Sequence, residues 1–169
     1  ELNLLLTCLL RGAGMQADPV ILSTRKHGKI NNEYPVFSPF NYVICRLKLD
    51  GKEWLLDASQ PKLGFGKLHE SCYNGTARVV NEAASTIDLE ATKLQAKRQM
   101  TVFVYNDPGN KWTASIKNME DEVESRKWRI KLAAEGEKAM REQLMKKFTG
   151  DIQIDSLRFD SVQLLGAPV

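Results

Sequence analysis

Nucleophilic chemistry in this chain would have to come from its three cysteines, its two histidines and the acids near them. One acid stands apart. Asp57 ends a stretch that begins at Phe40 and turns at Asp50-Gly51. Asp-Gly suits a two-residue hairpin turn, because glycine accepts a positive φ and aspartate tolerates one. Apolar and long polar residues alternate before the turn, the period of a strand with one buried face. Asp57 therefore sits just past a returning strand, with Tyr42 close to it on the outgoing one. A tyrosine is a poor general base here: an unperturbed phenol titrates near ~10 and stays protonated at neutral pH. An aspartate after a strand also often does no more than cap a turn.

The other candidates are weaker. Cys8 falls between Leu6 and Leu9 in an apolar helical stretch, where a small buried hydrophobe is expected. Cys45 lies mid-strand and is expected to be buried too. Cys72 precedes the turn signal Tyr73-Asn74-Gly75 and is expected to be the more exposed thiol. The irregular spacing makes no disulfide framework and no paired metal motif. His27 lies in a loop from Arg25 to Asn32, and His69 among Lys67, Leu68 and Glu70; both read as loop or surface residues. Nothing in the spacing brings His27, His69, Cys72 and Asp57 together. Gly64-Phe65-Gly66 lacks the third glycine and the Lys-Ser/Thr step of a phosphate loop. Glu120, Asp121, Glu122 and Glu124 match no metal loop and read as a solvated helix start. Neither a metal nor a cofactor is expected.

The elements that must position these residues follow from the pattern. Leu2–Arg11 reads as a helix, Pro19–Arg25 as a strand, and residues 40–49 and 53–57 as the hairpin, with the helix packed on the sheet. Composition shifts near Asn81–Ser85, after which Thr86–Leu89 reads as a short strand. Met100–Tyr105 and Trp112–Ile116 flank the turn signal Asn106-Asp107-Pro108-Gly109-Asn110. A helical stretch from Met119 to Phe148 follows. Its first stripe is Val123, Ile130 and Ala134, with Trp128 and Leu132 beside it, and its second Ala139, Met140, Leu144 and Phe148. Gly136 costs about 1 kcal/mol relative to alanine inside a helix, so a break there is expected. A last strand, Ile152–Val162, is expected after the Gly150-Asp151 turn, with a bulge near Asp155-Ser156. The fold class is α+β: residues 1–82 form a core, and residues 83–169 a hairpin, helical and C-terminal strand extension.

The ordered series of helix, strand, Lys26-His27-Gly28-Lys29-Ile30-Asn31, hairpin, Leu63-Gly64-Phe65-Gly66 and Cys72-Tyr73-Asn74-Gly75 resembles the transglutaminase-like region of exported Bacteroidetes proteins, in the papain-like superfamily. The resemblance covers the first half of the chain well and the second half loosely. It implies a Cys-His-Asp triad: a thiol at the N-terminus of the core helix, a histidine early on the first hairpin strand and an acid at the end of the second. The helix dipole and free N–H groups would lower the pKa of such a thiol. By this resemblance the thiol falls about one residue before Glu1, the histidine position is Tyr42 and the acid is Asp57. The vestigial triad positions are thus Tyr42 and Asp57, with Tyr42 expected to point toward the N-terminal end of the helix. The apolar pattern already runs at residue 1, so the chain is expected to be a fragment cut inside the domain.

Two functions follow from the resemblance. One is a degenerate, non-catalytic domain that binds or scaffolds a protein or peptide. The other is a fragment of an active cysteine hydrolase or acyltransferase whose nucleophile lies upstream. The resemblance places the parent in the periplasm or cell envelope. Composition fits a folded domain: 169 residues, 43% hydrophobic and 27% charged, so a sizeable core is affordable. A net charge of +3 is too weak to argue for nucleic acid. No apolar run reaches the length of a membrane span.

Overall fold

A computed structural model of the chain describes residues 1–30, 39–94, 97–106, 108–147 and 153–169. The chain forms two compact units, Glu1–Gln95 and Ala96–Val169. The fold is α+β, as the pattern predicts.

The first unit opens with helix α1, Leu2–Gly12. Strand β1, Gln16–Leu22, follows, then the hairpin strands β2, Tyr42–Leu49, and β3, Lys52–Leu56. Two shorter strands, β4 (Gly75–Val79) and β5 (Thr86–Leu89), complete an antiparallel sheet of order β3-β2-β1-β4-β5. The pairing of β5 with β4 places residues 86–89 in the first unit, beyond the boundary expected near residue 82. Asp50 and Gly51 both take positive φ, 52° and 71°, as the Asp-Gly hairpin turn requires.

The sheet is buried on both faces, and its two faces have different covers. Ala17, Cys45, Leu47 and Leu56 form one cluster with Leu6 and Leu10 of α1 and with Trp54. Val20, Leu22, Ile44, Ala77, Val79 and Leu89 form the other, closed by Leu68 and Cys72 from the loop between β3 and β4. Alternation along β2 explains the split: Ile44 faces one way and Cys45 the other.

Helix α1 packs against β1 and β2 by a mixed face, Asn3 and Thr7 with Leu6 and Leu10, and not by its other leucines. Its buried residues are Asn3 and Thr7, while Leu2, Leu4, Leu5 and Leu9 are exposed. Cys8 is exposed too, which corrects the expectation that it is buried: it lies on the outer side of a helix whose inner side is set by Asn3 and Thr7.

The second unit contains the antiparallel pair β6, Gln99–Asn106, and β7, Trp112–Met119, joined through the expected turn, whose Asp107 lies outside the described residues. Helices α2, Glu122–Glu135, and α3, Glu137–Met145, are separated at Gly136, whose φ of 80° supplies the break. Asp121 caps α2 by accepting the Glu124 N–H at 3.0 Å. The buried stripe of α2 is Ser125, Arg129 and Leu132: Leu132 is buried as the apolar pattern has it, while Ser125 and Arg129 take the place of Val123, Ile130 and Ala134. The C-terminal strand is also corrected. Ile152, like Phe148 and Asn31, lies outside the described residues, and residues 153–162 form no strand. The carbonyls of Ser161, Val162, Leu164 and Ala167 are taken by the Arg129 guanidinium instead of by a sheet ladder. Among the described residues no helix is long and apolar enough to cross a membrane.

Candidate functional site

The β2–β3 register sets the first pair. Cys45 lies opposite Leu56, and continuing one step places Asp57 opposite Ile44, diagonal to Tyr42. The Tyr42 hydroxyl donates to Asp57 Oδ2 at 2.9 Å. The two residues singled out from sequence therefore meet.

What holds them is Asn3, in the first turn of α1 and only 3% exposed. Its Nδ2 donates to the Val43 carbonyl and to Asp57 Oδ1, both at 2.8 Å. Its Oδ1 accepts the Ala58 N–H at 2.7 Å. One amide side chain thus ties the helix start to β2 and to the turn after β3. Thr7, one turn on, donates to the Asn3 carbonyl at 2.8 Å.

Asp57 Oδ1 also accepts the Ser59 N–H at 3.0 Å and the Ser59 hydroxyl at 2.7 Å. The Ser59 and Tyr42 oxygens approach to 2.5 Å, and Gln60 Nε2 donates to the Tyr42 oxygen at 3.1 Å. Two hydroxyl protons serve three O···O approaches among Tyr42, Ser59 and Asp57, so the three oxygens share them. Among the described residues the hydrogen-bond partners of Asp57 are Asn3, Tyr42 and Ser59, and no imidazole is among them.

The direction of Tyr42 differs from expectation. Its ring packs on the Val20, Leu22 and Ile44 cluster, the face away from α1. Only its hydroxyl, through Asp57, reaches Asn3 and the helix start. Burial raises its pKa above that of an ordinary phenol; hydrogen bonds from Ser59 and Gln60 oppose the shift and Asp57 adds to it. The phenol stays protonated and acts as a donor to the carboxylate.

The remaining candidates fall elsewhere. Cys72 is buried, 1% exposed, which corrects the expectation of an exposed loop thiol: a 3-10 turn, Glu70–Cys72, folds it into the core. Burial, with the nearby Asp57 and Glu70 charges adding, pushes its pKa up to about 12. Cys45 is buried as expected, and burial raises its pKa. His69 is a cap rather than a free surface residue. Its Nδ1 accepts the Ser71 N–H at 3.2 Å and lies 2.8 Å from the Ser71 hydroxyl, while Nε2 lies 3.4 Å from Glu70. His27 sits on an exposed 3-10 turn, Arg25–His27. Among the described residues no group of three His, Cys, Asp or Glu side chains could hold a metal ion.

Beside Asp57 a groove of about 510 Å³ opens between α1, the β2–β3 hairpin and the loop 63–66. Leu6, Leu10, Leu47, Leu56 and Phe65 line it, and Asp57 is its one ionisable lining residue among the described residues. Phe65 leans on Trp54, ring centroids 5.1 Å apart. Gly66 makes that approach possible: its φ is 73°, and a Cβ there would lie 2.5 Å from the Trp54 ring.

The thiols make a direct check. Cys8 should react rapidly with a thiol reagent in the native protein, and Cys45 and Cys72 only on unfolding, because a buried neutral thiol is inert. Mass mapping of the modified residues reads the result, and native labelling of Cys72 at the rate of Cys8 would contradict the burial described. Asn3, Ser59 and Gln60 were missed from sequence. The signal for Asn3 was available: Asn3 and Thr7 are polar residues four apart in a leucine-rich helix.

The chain matches no family model, no curated protein and no solved structure.

Proposed function

We propose that this chain is a degenerate, non-catalytic transglutaminase-like domain that binds a protein or peptide in the periplasm or cell envelope. The observation that carries the reading is the Tyr42–Asp57 hydrogen bond of 2.9 Å, at the positions where the resemblance puts a histidine and its acid. An imidazole there would take a thiol proton and be steadied by the carboxylate. A phenol with a raised pKa is held by the carboxylate but takes no thiol proton. Asp57 spends both oxygens on Asn3, Ser59 and Tyr42, which makes it a fastener of the fold.

The adjoining groove supports binding over chemistry. Among the described residues its lining is apolar side chains and one carboxylate. Its size lies in the range of ligand sites, and an apolar side chain of an extended peptide fits it. The chain should neither hydrolyse amides nor transfer amines, and Tyr42→His alone should not create either activity. Peptides selected by display on the wild-type chain should bind Leu10→Glu at least about tenfold more weakly, since one buried charge disrupts the apolar wall. Turnover abolished by Cys8→Ala would overturn the reading and make the chain an enzyme.

A further inference from the structure

A second cavity, of about 280 Å³, lies at the other end of α1, lined by Arg11, Gln16, Asp18, Arg46, Lys48 and Asn81 together with Met15 and Ala17. Its chemistry is the reverse of the groove beside Asp57. Three cations meet there, and the two acids in contact with them are Asp18 and Glu53. The local balance is one positive charge in excess.

The floor is built. Arg46, only 6% exposed, sets its guanidinium against Asp18 Oδ2 at 2.5 Å and Glu53 at 3.2 Å, and its Nε has no partner among the described residues. Asp18 is enclosed by donors: Arg11 on Oδ1 at 3.0 Å, and Arg46 and Asn81 on Oδ2. Burial alone would raise the Asp18 pKa, but the hydrogen bonds from Arg46, Arg11 and Asn81 outweigh it and hold the carboxyl below the ordinary aspartate range. The acid is therefore a fixed anion whose oxygens are already turned toward its cations.

The rim has donors to spare. Arg11, half exposed, uses Nε on the Ala17 carbonyl at 2.6 Å and Nη2 on Asp18, and among the described residues Nη1 has no partner. Lys48, also half exposed, makes one loose pairing, 3.6 Å to Glu53. The Gln16 amide takes no hydrogen bond among the described residues. A forked guanidinium and an ammonium flanking one opening suit a phosphate group, which accepts from both while one negative charge answers the excess.

We propose that this cavity is an anion site that takes the phosphate group of a small phosphomonoester or of a lipid headgroup, held between Arg11 and Lys48 over the Arg46–Asp18 pair.

The test is titration of the whole chain with inorganic phosphate and with glycerol phosphate at fixed ionic strength, followed by calorimetry and by phosphorus NMR. Vesicles of phosphatidylcholine with and without phosphatidate form the lipid arm. One-to-one saturation with a dissociation constant on the order of 1 mM is expected for phosphate. Arg11→Gln and Lys48→Gln should each weaken it about tenfold, the loss of one charge-assisted bond. Both side chains are half exposed, so both variants should keep the parent circular dichroism and melting curve, and Lys48→Gln stands alone if Arg11→Gln loosens the helix end. Saturation in either arm that depends on Lys48 supports the site and identifies the source of the phosphate. A response to phosphate no greater than to chloride, or affinities unchanged in Lys48→Gln, would overturn it. The groove beside Asp57 plays no part, so Leu10→Glu should leave phosphate binding unchanged.

Discussion

Arg129→Ala is expected to destabilise the second unit by about 3–5 kcal/mol, the largest loss of any single substitution there. Arg129 is 2% exposed and lies in the buried stripe of α2 with Ser125 and Leu132. Its Nε donates to the Val162 carbonyl at 3.1 Å, and its Nη2 faces the carbonyls of Ser161, Leu164 and Ala167. No ladder satisfies this segment, so one guanidinium organises the backbone of the last turns. A hydrogen bond to a charged group is worth about 1.5–3 kcal/mol, and removing the donor also takes their partner from the Val162 and Ala167 carbonyls, whereas those of Ser161 and Leu164 keep a backbone N–H. The values do not add in full, because water replaces some of the lost bonds. Arg129→Lys keeps the charge but loses the fork, so about half the loss should remain. Hydrogen exchange across residues 153–169 and denaturant unfolding read the effect together. A loss under about 1 kcal/mol with unchanged exchange in that segment would show that the guanidinium does not hold it.

The sequence made the local devices legible and hid the ones that join distant residues. The Asp50-Gly51 hairpin, the break at Gly136 and the β6–β7 pair were readable because each depends on neighbours in the chain: a positive φ or an alternation of apolar types. The pairing of Tyr42 with Asp57 was readable for the same reason, since counting back from one turn fixes it. The faces of α1 and α2 were not. Apolar periodicity marks the leucines of α1 as the buried side, yet only Leu6 and Leu10 share the sheet-facing side with Asn3 and Thr7, because Asn3 satisfies Val43, Asp57 and Ala58 at once. Arg129 reads as a solvated charge until the carbonyls of residues 161–167 are seen around it. In both helices a polar side chain is buried because it answers backbone groups far away in sequence, and no periodicity reports that. Cys8 and Cys72 exchanged their expected environments for related reasons: one follows the rotation of α1, the other the 3-10 turn capped by His69.

Asn3 also gives the most discriminating prediction for the candidate site. Asn3→Ala should cost about 2–4 kcal/mol, since it deletes a buried side chain that donates twice and accepts once. Asp57→Ala should cost somewhat less, because Asp57 is only part-buried and water can reach Ser59 and Tyr42. The two losses should couple by about 1–2 kcal/mol in a double-mutant cycle, as expected for residues joined by one bond of 2.8 Å. Asn3→Asp is more informative still. It sets a second carboxylate in place of the amide that donates to Asp57, and two carboxylates so close cannot both stay ionised at low cost. One of the pair would therefore hold its proton in the folded state to a higher pH than in the unfolded chain. A raised folded pKa contributes stability that is fully present below the unfolded value and is lost as pH rises through the folded one. Asn3→Asp should thus be severely destabilised at neutral pH and recover on acidification, while Asn3→Ala shows no such recovery. Denaturant midpoints for the two variants across acid to neutral pH decide it, with the wild type as reference. Parallel pH curves for the two variants would mean that residue 3 does not face the Asp57 carboxylate, and Asp57 would then be free to orient a catalytic partner instead of fastening α1 to the sheet.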